Sequence, residues 1–505
     1  MSTRPRDEIV EIGALDAAWP LHDSAASRQV EQSALARCPD GALMDRAGLA
    51  VARLALALAP QAQAVRVYAG PGHNGGDGLI AARHLHRAGR AVQVLLLADP
   101  ARLPADAALA WRAAQATGVP ILGSPEALAP DPGLVIDALL GLGARRGPEG
   151  AMAAAIDAIN AQDAPVLAVD LPSGLHPDTG ALLGRQAVRA TATLALLTLK
   201  PGGFTAAGRE HSGAPWLADL GIDATEAAPP TAWLNGAPAF GPRAQDSHKG
   251  RFGDVVVIGG APGMAGALWL AARAALAAGA GRVYACPLDP QAALLDPLRP
   301  ELMGRREAWR TAPALLASGT VVCGCGGGDA VRGALPSVLS QGQRLVLDAD
   351  ALNALAADAV LRRLLQARGQ RGARTLLTPH PLEAARLLGV PVREVQHDRL
   401  AAAQALARQT GCTVLLKGSG SVIAGATGLP RLNPTGNAAL ATAGTGDVLA
   451  GWAGGLWAQR SGDDPADIAS AAAWSHGRAA DLWPGHRAGH PLRAADLVEA
   501  MVRLG

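Results

Sequence analysis

Asn433-Pro434-Thr435-Gly436-Asn437 is followed by Ala443-Gly444-Thr445-Gly446-Asp447 and then by an alanine-rich helical stretch. A glycine turn that ends in an Asp at a helix start suits phosphoryl chemistry. The glycines let backbone N–H groups close around an anion, and the helix N-terminus adds partial positive charge. Asp447 is placed either to take a proton from an attacking hydroxyl or to steer a metal-bound phosphate. The pattern implies that a nucleotide phosphate is used.

A second constellation lies far upstream. Gly70-Pro71-Gly72-His73-Asn74-Gly75 satisfies G-x-G-x-x-G between a strand and a helix, and Asp99 ends the next strand. On pattern alone this is a dinucleotide fingerprint. The continuation, Gly75-Gly76-Asp77-Gly78, argues against it, because a carboxylate inside a phosphate loop repels a pyrophosphate. Asn74 and Asp77 read instead as groups that orient polar ligands or hold a cation. Asp137, before Ala138-Leu139-Leu140-Gly141, and Asp170, in Val169-Asp170-Leu171-Pro172-Ser173-Gly174, end two further strands. Such an Asp is often only a helix N-cap. Two beside glycine loops, at the carboxyl edge of one sheet, mark a site.

These residues need a frame. At 505 residues the chain exceeds one ordinary core, and 49% hydrophobic with 17% charged residues is a globular composition. With aromatics at only 3%, the cores must be built from Ala, Leu and Val. Short apolar runs at 65–69, 92–98, 134–137, 166–170 and 192–197 alternate with helical stretches, the signature of a parallel sheet covered on both faces. Residues 225–245, rich in Pro, Ala and Gly, show no period and are expected to be a linker. A second α/β rhythm then begins, with strands at 255–258, 283–286, 320–323, 345–348, 375–378 and 414–416 and a helix at 267–278.

A net charge of +2 with no basic block excludes nucleic acid as the main partner. Five scattered cysteines, with a C-x-C and no second pair, point to reduced thiols rather than zinc or disulfides. There is no apolar run behind the N-terminus and no stretch of about 20 uncharged apolar residues, so neither a signal peptide nor a membrane span is expected. A cytoplasmic homo-oligomer is the expectation.

Residues 72–78 (Gly-His-Asn-Gly-Gly-Asp-Gly), 137–141 and 169–174 resemble the signature stretches of the NAD(P)H-hydrate epimerase family. Leu43-Met44-Asp45-Arg46-Ala47-Gly48 resembles that family's upstream helix. The resemblance spans most of residues 10–225. It implies a Rossmann-like three-layer α/β/α fold with potassium held by Asn74, Asp137 and Ser173. It places the hydrated nicotinamide nucleotide against His73, Asn74, Gly75, Gly76 and Asp77, against Gly141, Leu142, Gly143, Ala144, Arg145, Arg146 and Gly147, and against Asp170. Asp170 is the candidate acid/base. His73 departs from the family's Asn at that position.

The second half opens with His248-Lys249-Gly250-Arg251-Phe252-Gly253-Asp254. It continues through residues 259–267, 324–329, 348–353, 377–383 and 417–421 to residues 444–447. This ordered set resembles the ADP/ATP-dependent NAD(P)H-hydrate dehydratase family, with its ribokinase-like fold, over residues 246–505. The resemblance implies adenine-nucleotide contacts from Lys417, Gly418, Ser419, Gly420, Ser421 and Gly446. It implies substrate contacts from Ala267, Gly326, His380 and Asp447, with Asp447 as the base. Cys325 stands where the family has Pro, and Leu382 where it has Gly, a site where positive φ would be resisted.

The expected fold class is therefore α/β in two domains, residues 1–224 and 246–505. The expected function is bifunctional. The first domain epimerises the R and S hydrates of NADH and NADPH. The second dehydrates the S hydrate with ADP as phosphoryl donor and magnesium, giving AMP and phosphate. The alternative is a ribokinase-like small-molecule kinase carrying a non-catalytic N-terminal binding module.

Overall fold

A computed structural model of the chain describes residues 8–13, 17–125, 131–239 and 241–504. Residues 1–7 and Phe240, read above as N-terminus and linker, lie outside them. The chain divides into two compact α/β units, with the division between Trp233 and Leu234.

The first unit is built on an eight-stranded sheet. In spatial order its strands are Ile9–Glu11, Ala214–Ala218, Ala192–Leu196, Val166–Val169, Leu134–Ala138, Ala64–Ala69, Ala91–Leu96 and Ile121–Leu122. All neighbours pair parallel except the edge strand Ile9–Glu11, which runs antiparallel to Ala214–Ala218. Side chains alternate between two cores, as a period of two requires. Val65, Val67 and Ala69 join the cluster that holds Leu54, Leu79 and Leu85. Tyr68 joins the opposite cluster with Ile156 and Ile159. Helices Ala42–Leu58 and His73–Arg87 supply one layer and Ala151–Asn160 the other. This is the expected three-layer arrangement.

The second unit orders nine strands as Met303–Gly304, Arg282–Pro287, Asp254–Gly259, Thr320–Cys323, Arg344–Leu347, Arg374–Leu377, Thr413–Leu416, Val422–Ala424 and Arg431–Leu432. The first seven run parallel and the last two antiparallel. Helix Thr445–Gln459 packs closely on helix Ala265–Ala277. A Cβ at Gly451 would stand 2.1 Å from the Ala271 carbonyl oxygen, and one at Gly455 2.3 Å from that of Ala275. Small residues thus let two backbones touch, which is how a chain poor in aromatics reaches interior density.

Two expectations change. Residues 225–245 are not without structure: Ala224–Ala227 is a helical turn capped by Asp223, and Ala232–Leu234 is a strand with Ala232 and Leu234 buried. Three residues among prolines are too short to show a period. The strand Ala214–Ala218, second from the sheet edge, was not expected either, because it contains Pro215 and its side chains are mostly half-buried.

Two candidate active sites

In the first unit a cleft of about 620 Å³ opens at the carboxyl ends of the parallel strands. Its lining includes Glu31, His73, Asn74, Asp77, Asp170 and Lys200, with Gly141, Leu142, Gly143 and Ala144 along one side. The stretch expected to be a glycine loop is already helix: His73–Arg87 begins directly after Gly72. The glycines serve close approach rather than turning. A Cβ at Gly75 would stand 2.1 Å from the Gly70 carbonyl oxygen, and one at Gly78 2.5 Å from the Ala138 Cβ; a Cβ at Gly76 would meet the Met44 side chain. The helix N-terminus is thereby pressed onto the sheet edge, with Asn74 and Asp77 facing the cleft. Arg145 and Arg146 are exposed, and Gly147 packs on Leu183 and Gly184.

Asp137 and Ser173 meet at the carboxyl edge of the sheet. The Ser173 hydroxyl donates to Asp137 Oδ1 at 2.6 Å, and the Ser173 amide donates to Oδ2 at 2.8 Å. The Leu139 amide adds a longer bond. Burial nevertheless pushes the Asp137 carboxyl up to about 6, against the pull of these donors. Asn74 Nδ2 is buried without a hydrogen-bond partner, and Gly141 lies against the Asn74 side chain, where a Cβ would be 3.2 Å from it.

Asp170 sits one residue beyond its strand in left-handed backbone, φ 67°. Its carboxylate takes a hydrogen bond from Lys200, which sequence reasoning missed. Lys200 is buried and spends its other donors on the carbonyls of Leu196 (2.8 Å) and Thr198 (3.0 Å). The missed signal was a lone Lys just after the expected strand at 192–197. Asp77, buried nearby, is held well above the usual carboxylate range, first by burial and then by the charges of Asp170 and Glu31. One carboxylate is thus paired with a cation while burial pushes its neighbour toward the protonated form, the arrangement of a base beside an acid. At the cleft mouth His73 Nδ1 lies 3.8 Å from Glu31, which raises the imidazole and is itself lowered.

In the second unit helix Thr445–Gln459 starts after Gly444, whose φ of 89° makes it a left-handed cap. Asp447 lies in the first turn. Burial first, then the charge of Asp348, pushes it up to about 7. Lys417, at the end of strand Thr413–Leu416, places Nζ 2.6 Å from Asp348 Oδ1. A Cβ on Gly446 would be 3.4 Å from that Nζ and 3.8 Å from Asp348 Oδ2. Lys417, Gly446, Asp348 and Asp447 therefore share one location. Asp348 was noted only as part of a motif stretch, yet it is buried and organises the group. The loop 417–421 links two antiparallel strands, with Gly418 and Gly420 at positive φ and the Ser421 hydroxyl 3.3 Å from the Gly418 carbonyl. Ser419 between them is exposed.

Gly326, φ 56°, lies against Ala267: a Cβ there would be 2.8 Å from that of Ala267. Cys325 is fully buried, and burial raises its thiol well above the usual range. His380 caps helix Pro381–Leu388, accepting at Nδ1 from the amides of Leu382 and Glu383 while Glu383 accepts from the His380 amide at 2.8 Å. Leu382 sits inside that helix without positive φ, so the family's Gly is not needed there.

Residues 255–503 match the family described as NAD(P)H-hydrate dehydratase, and residues 40–202 the family described as YjeF-related protein N-terminus. The chain is 36% identical over 476 residues to a bifunctional NAD(P)H-hydrate repair enzyme of Escherichia coli (strain K12), covering 92% of this chain and 89% of the relative. It is 37% identical to the one of Coxiella burnetii, covering 91% and 94%. Among solved structures it is similar to an ADP/ATP-dependent NAD(P)H-hydrate dehydratase from Bacillus subtilis, at 32% identity, 52% of this chain, 93% of that chain and a TM-score of 0.44. Among the described residues no helix is long and apolar enough to cross a membrane. With both family matches in one chain and these identities over nine-tenths of its length, the chain belongs to the bifunctional NAD(P)H-hydrate repair enzymes.

Proposed function

We propose that the first unit interconverts the R and S hydrates of NADH and NADPH, and that the second dehydrates the S hydrate with ADP. The observation that carries the second half is the meeting of Asp447, Asp348, Lys417 and Gly446 at a helix N-terminus. Asp447, poised near 7, takes the proton of the C6 hydroxyl as its oxygen attacks the β-phosphorus of ADP. The new O–P bond forms as the bond to AMP breaks. Lys417 and the N-terminal amides of the helix stabilise the charge that develops on the phosphoryl oxygens. The ring nitrogen's lone pair then expels phosphate from C6, and loss of the C5 proton restores the C5=C6 double bond.

In the first unit Asp170 is the base, and Asp77, whose burial favours its protonated form, the acid for opening and reclosing at C6. Asn74, Asp137 and Ser173 suit a potassium ion. Asp137 is a buried carboxylate whose hydrogen bonds come only from neutral donors, and Asn74, against Gly141, would offer its side-chain carbonyl oxygen. Potassium would supply the missing positive charge and fix the helix start against the 139–141 turn. Among the described residues of the second unit no carboxylate cage fits magnesium. Cys325, Asp348 and Asp447 bring ligand atoms within 4.8 Å of one another, but a thiol is a poor donor for so hard an ion and Lys417 occupies Asp348. Magnesium is assigned to the nucleotide's phosphates instead.

The test is to incubate the full chain with chemically hydrated NADH. Both epimers are expected to return to NADH with ADP, and neither without it. Persistence of the S hydrate would overturn the dehydratase reading, and a stable phosphorylated product would favour a kinase.

A further inference from the structure

The loop 417–421 rests on a buried cation that, among the described residues, no carboxylate neutralises. Arg399 is 1% exposed. Its guanidinium donates to the Leu416 carbonyl at 3.3 Å, the Lys417 carbonyl at 3.1 Å and the Gln396 side-chain oxygen at 2.7 Å. Nε has no hydrogen-bond partner. Every partner is neutral, and burial alone lowers its pKa, to about 10, so it stays charged at neutral pH. A buried charge is costly unless it is paired. Gly418, itself exposed, lies directly over the guanidinium: a Cβ there would be 2.8 Å from Nη2 and 3.1 Å from Cζ. Its φ of 141° adds a second reason for glycine. Without a side chain at residue 418, little separates the guanidinium from whatever occupies the loop.

We propose that Arg399 is a positioning residue for the nucleotide: its uncompensated charge, acting through Gly418, draws the phosphates of a nucleoside polyphosphate onto the 417–421 loop. The inference rests on the proposed nucleotide use and adds a residue to it. Field from a buried charge is weakly screened, so one residue's distance does not cancel it. The bound nucleotide is then the counter-charge that Arg399 lacks in the free protein.

The discriminating variant is Gln396→Glu. Gln396 already accepts from Arg399, so a carboxylate of the same shape preserves the contact and neutralises the cation. In the full chain at saturating S hydrate, Q396E is expected to raise KM for ADP about 5-fold, with kcat and the KM for the hydrate within about 2-fold. R399M is expected to raise KM for ADP about 10-fold or more, and R399K to stay within about 3-fold of the parent. A residue that merely braces the loop predicts the reverse: Q396E neutral for ADP, and R399K as damaging as R399M. Either result overturns the proposal. Should R399M fail to fold, Q396E decides alone. ADP binding by calorimetry is measured alongside, so absence of hydrate turnover in the parent protein would sink the proposed function while leaving Arg399 testable.

Discussion

Lys417 and Asp348, 69 residues apart in sequence, form an ion pair at 2.6 Å, and Thr378 Oγ1 donates to the same carboxylate oxygen at 2.9 Å. Both charges are largely out of water, so removing either strands the other. Burial works against the Lys417 charge, but Asp348 and Glu383 outweigh it and raise its pKa. Lys417→Met is expected to cost about 3–5 kcal/mol of stability through the unpaired Asp348 and to abolish dehydration. Adding Asp348→Asn to it should restore much of the stability and none of the activity. Urea unfolding of the single and double variants measures this, and equal stabilities would mean the pair is not coupled.

Asp447 works as a base only when ionised, so kcat for dehydration should rise with pH through about 7. Asp348→Asn removes a charge that raises Asp447, and the midpoint should fall. The stability sign is opposite. Burial raises the folded pKa above the unfolded 3.8, so this group's contribution is present below pH 4 and lost as pH climbs to about 7. Asp447→Asn should therefore stabilise the protein by on the order of 2 kcal/mol at pH 8, with no gain at pH 4, while dehydration falls about 1,000-fold or more. Thermal melts at the two pH values check the sign.

Asp170 and Lys200 make the corresponding pair in the first unit. Asp170→Asn should slow epimerisation about 100-fold to 10,000-fold and leave dehydration of the S hydrate unchanged, so the R hydrate accumulates. Lys200→Met should do the same and also destabilise the unit, because Asp170 is left buried and unpaired. Chiral separation of the remaining hydrates reads both, and consumption of R at the parent rate in D170N would remove Asp170 from the chemistry.

The central parallel strands were legible because most are short apolar runs with Gly, Asp or Pro soon after; Thr320–Cys323 has the bounds the sequence implied, whereas Ile121–Leu122, Ala214–Ala218 and Met303–Gly304 were too short or, at Pro215, too irregular to stand out. Partners distant in sequence were not legible. Nothing in the pattern links Asp348 to Lys417, or Asp170 to Lys200, since such pairs exist only once the sheet aligns its strand ends. Nor was the helical state of residues 73–78, because four glycines in a row of eight read as a loop when no packing partner is visible. Residues 422–424 were hidden for a simpler reason: three residues carry no period.

That packing makes a graded prediction. Gly75→Ala drives a methyl into the Gly70 carbonyl, backbone that cannot yield, and should cost roughly 3 kcal/mol or more. Gly76→Ala meets chiefly the flexible Met44 side chain, with the Ala107 Cα at 3.2 Å, and should cost about 1–2 kcal/mol. At Gly72 nothing lies within 4 Å, and the φ of −107° is ordinary, so Ala should be tolerated to within about 1 kcal/mol. Denaturant midpoints in the order 75, 76, 72 support the close-approach account; a Gly72 variant as damaged as Gly75 contradicts it.

Potassium supplies the last prediction. Asp137 has its pKa raised to about 6 by burial, so its contribution to stability is present below pH 4 and lost as pH rises through 6. A cation on Asn74, Asp137 and Ser173 binds the ionised carboxylate and offsets that loss. Potassium at about 100 times its Kd should then stabilise the first unit by about 2.7 kcal/mol at pH 7.5 and far less at pH 5, where Asp137 is mostly protonated. Asp137→Asn should raise stability in potassium-free buffer at pH 7.5 and remove the pH dependence of the gain. Tetramethylammonium at equal ionic strength is the control for screening. If it raises the melting temperature as much as potassium does, the three residues bind no specific ion, and the buried Asp137 must be balanced by the Ser173 and Leu139 donors alone.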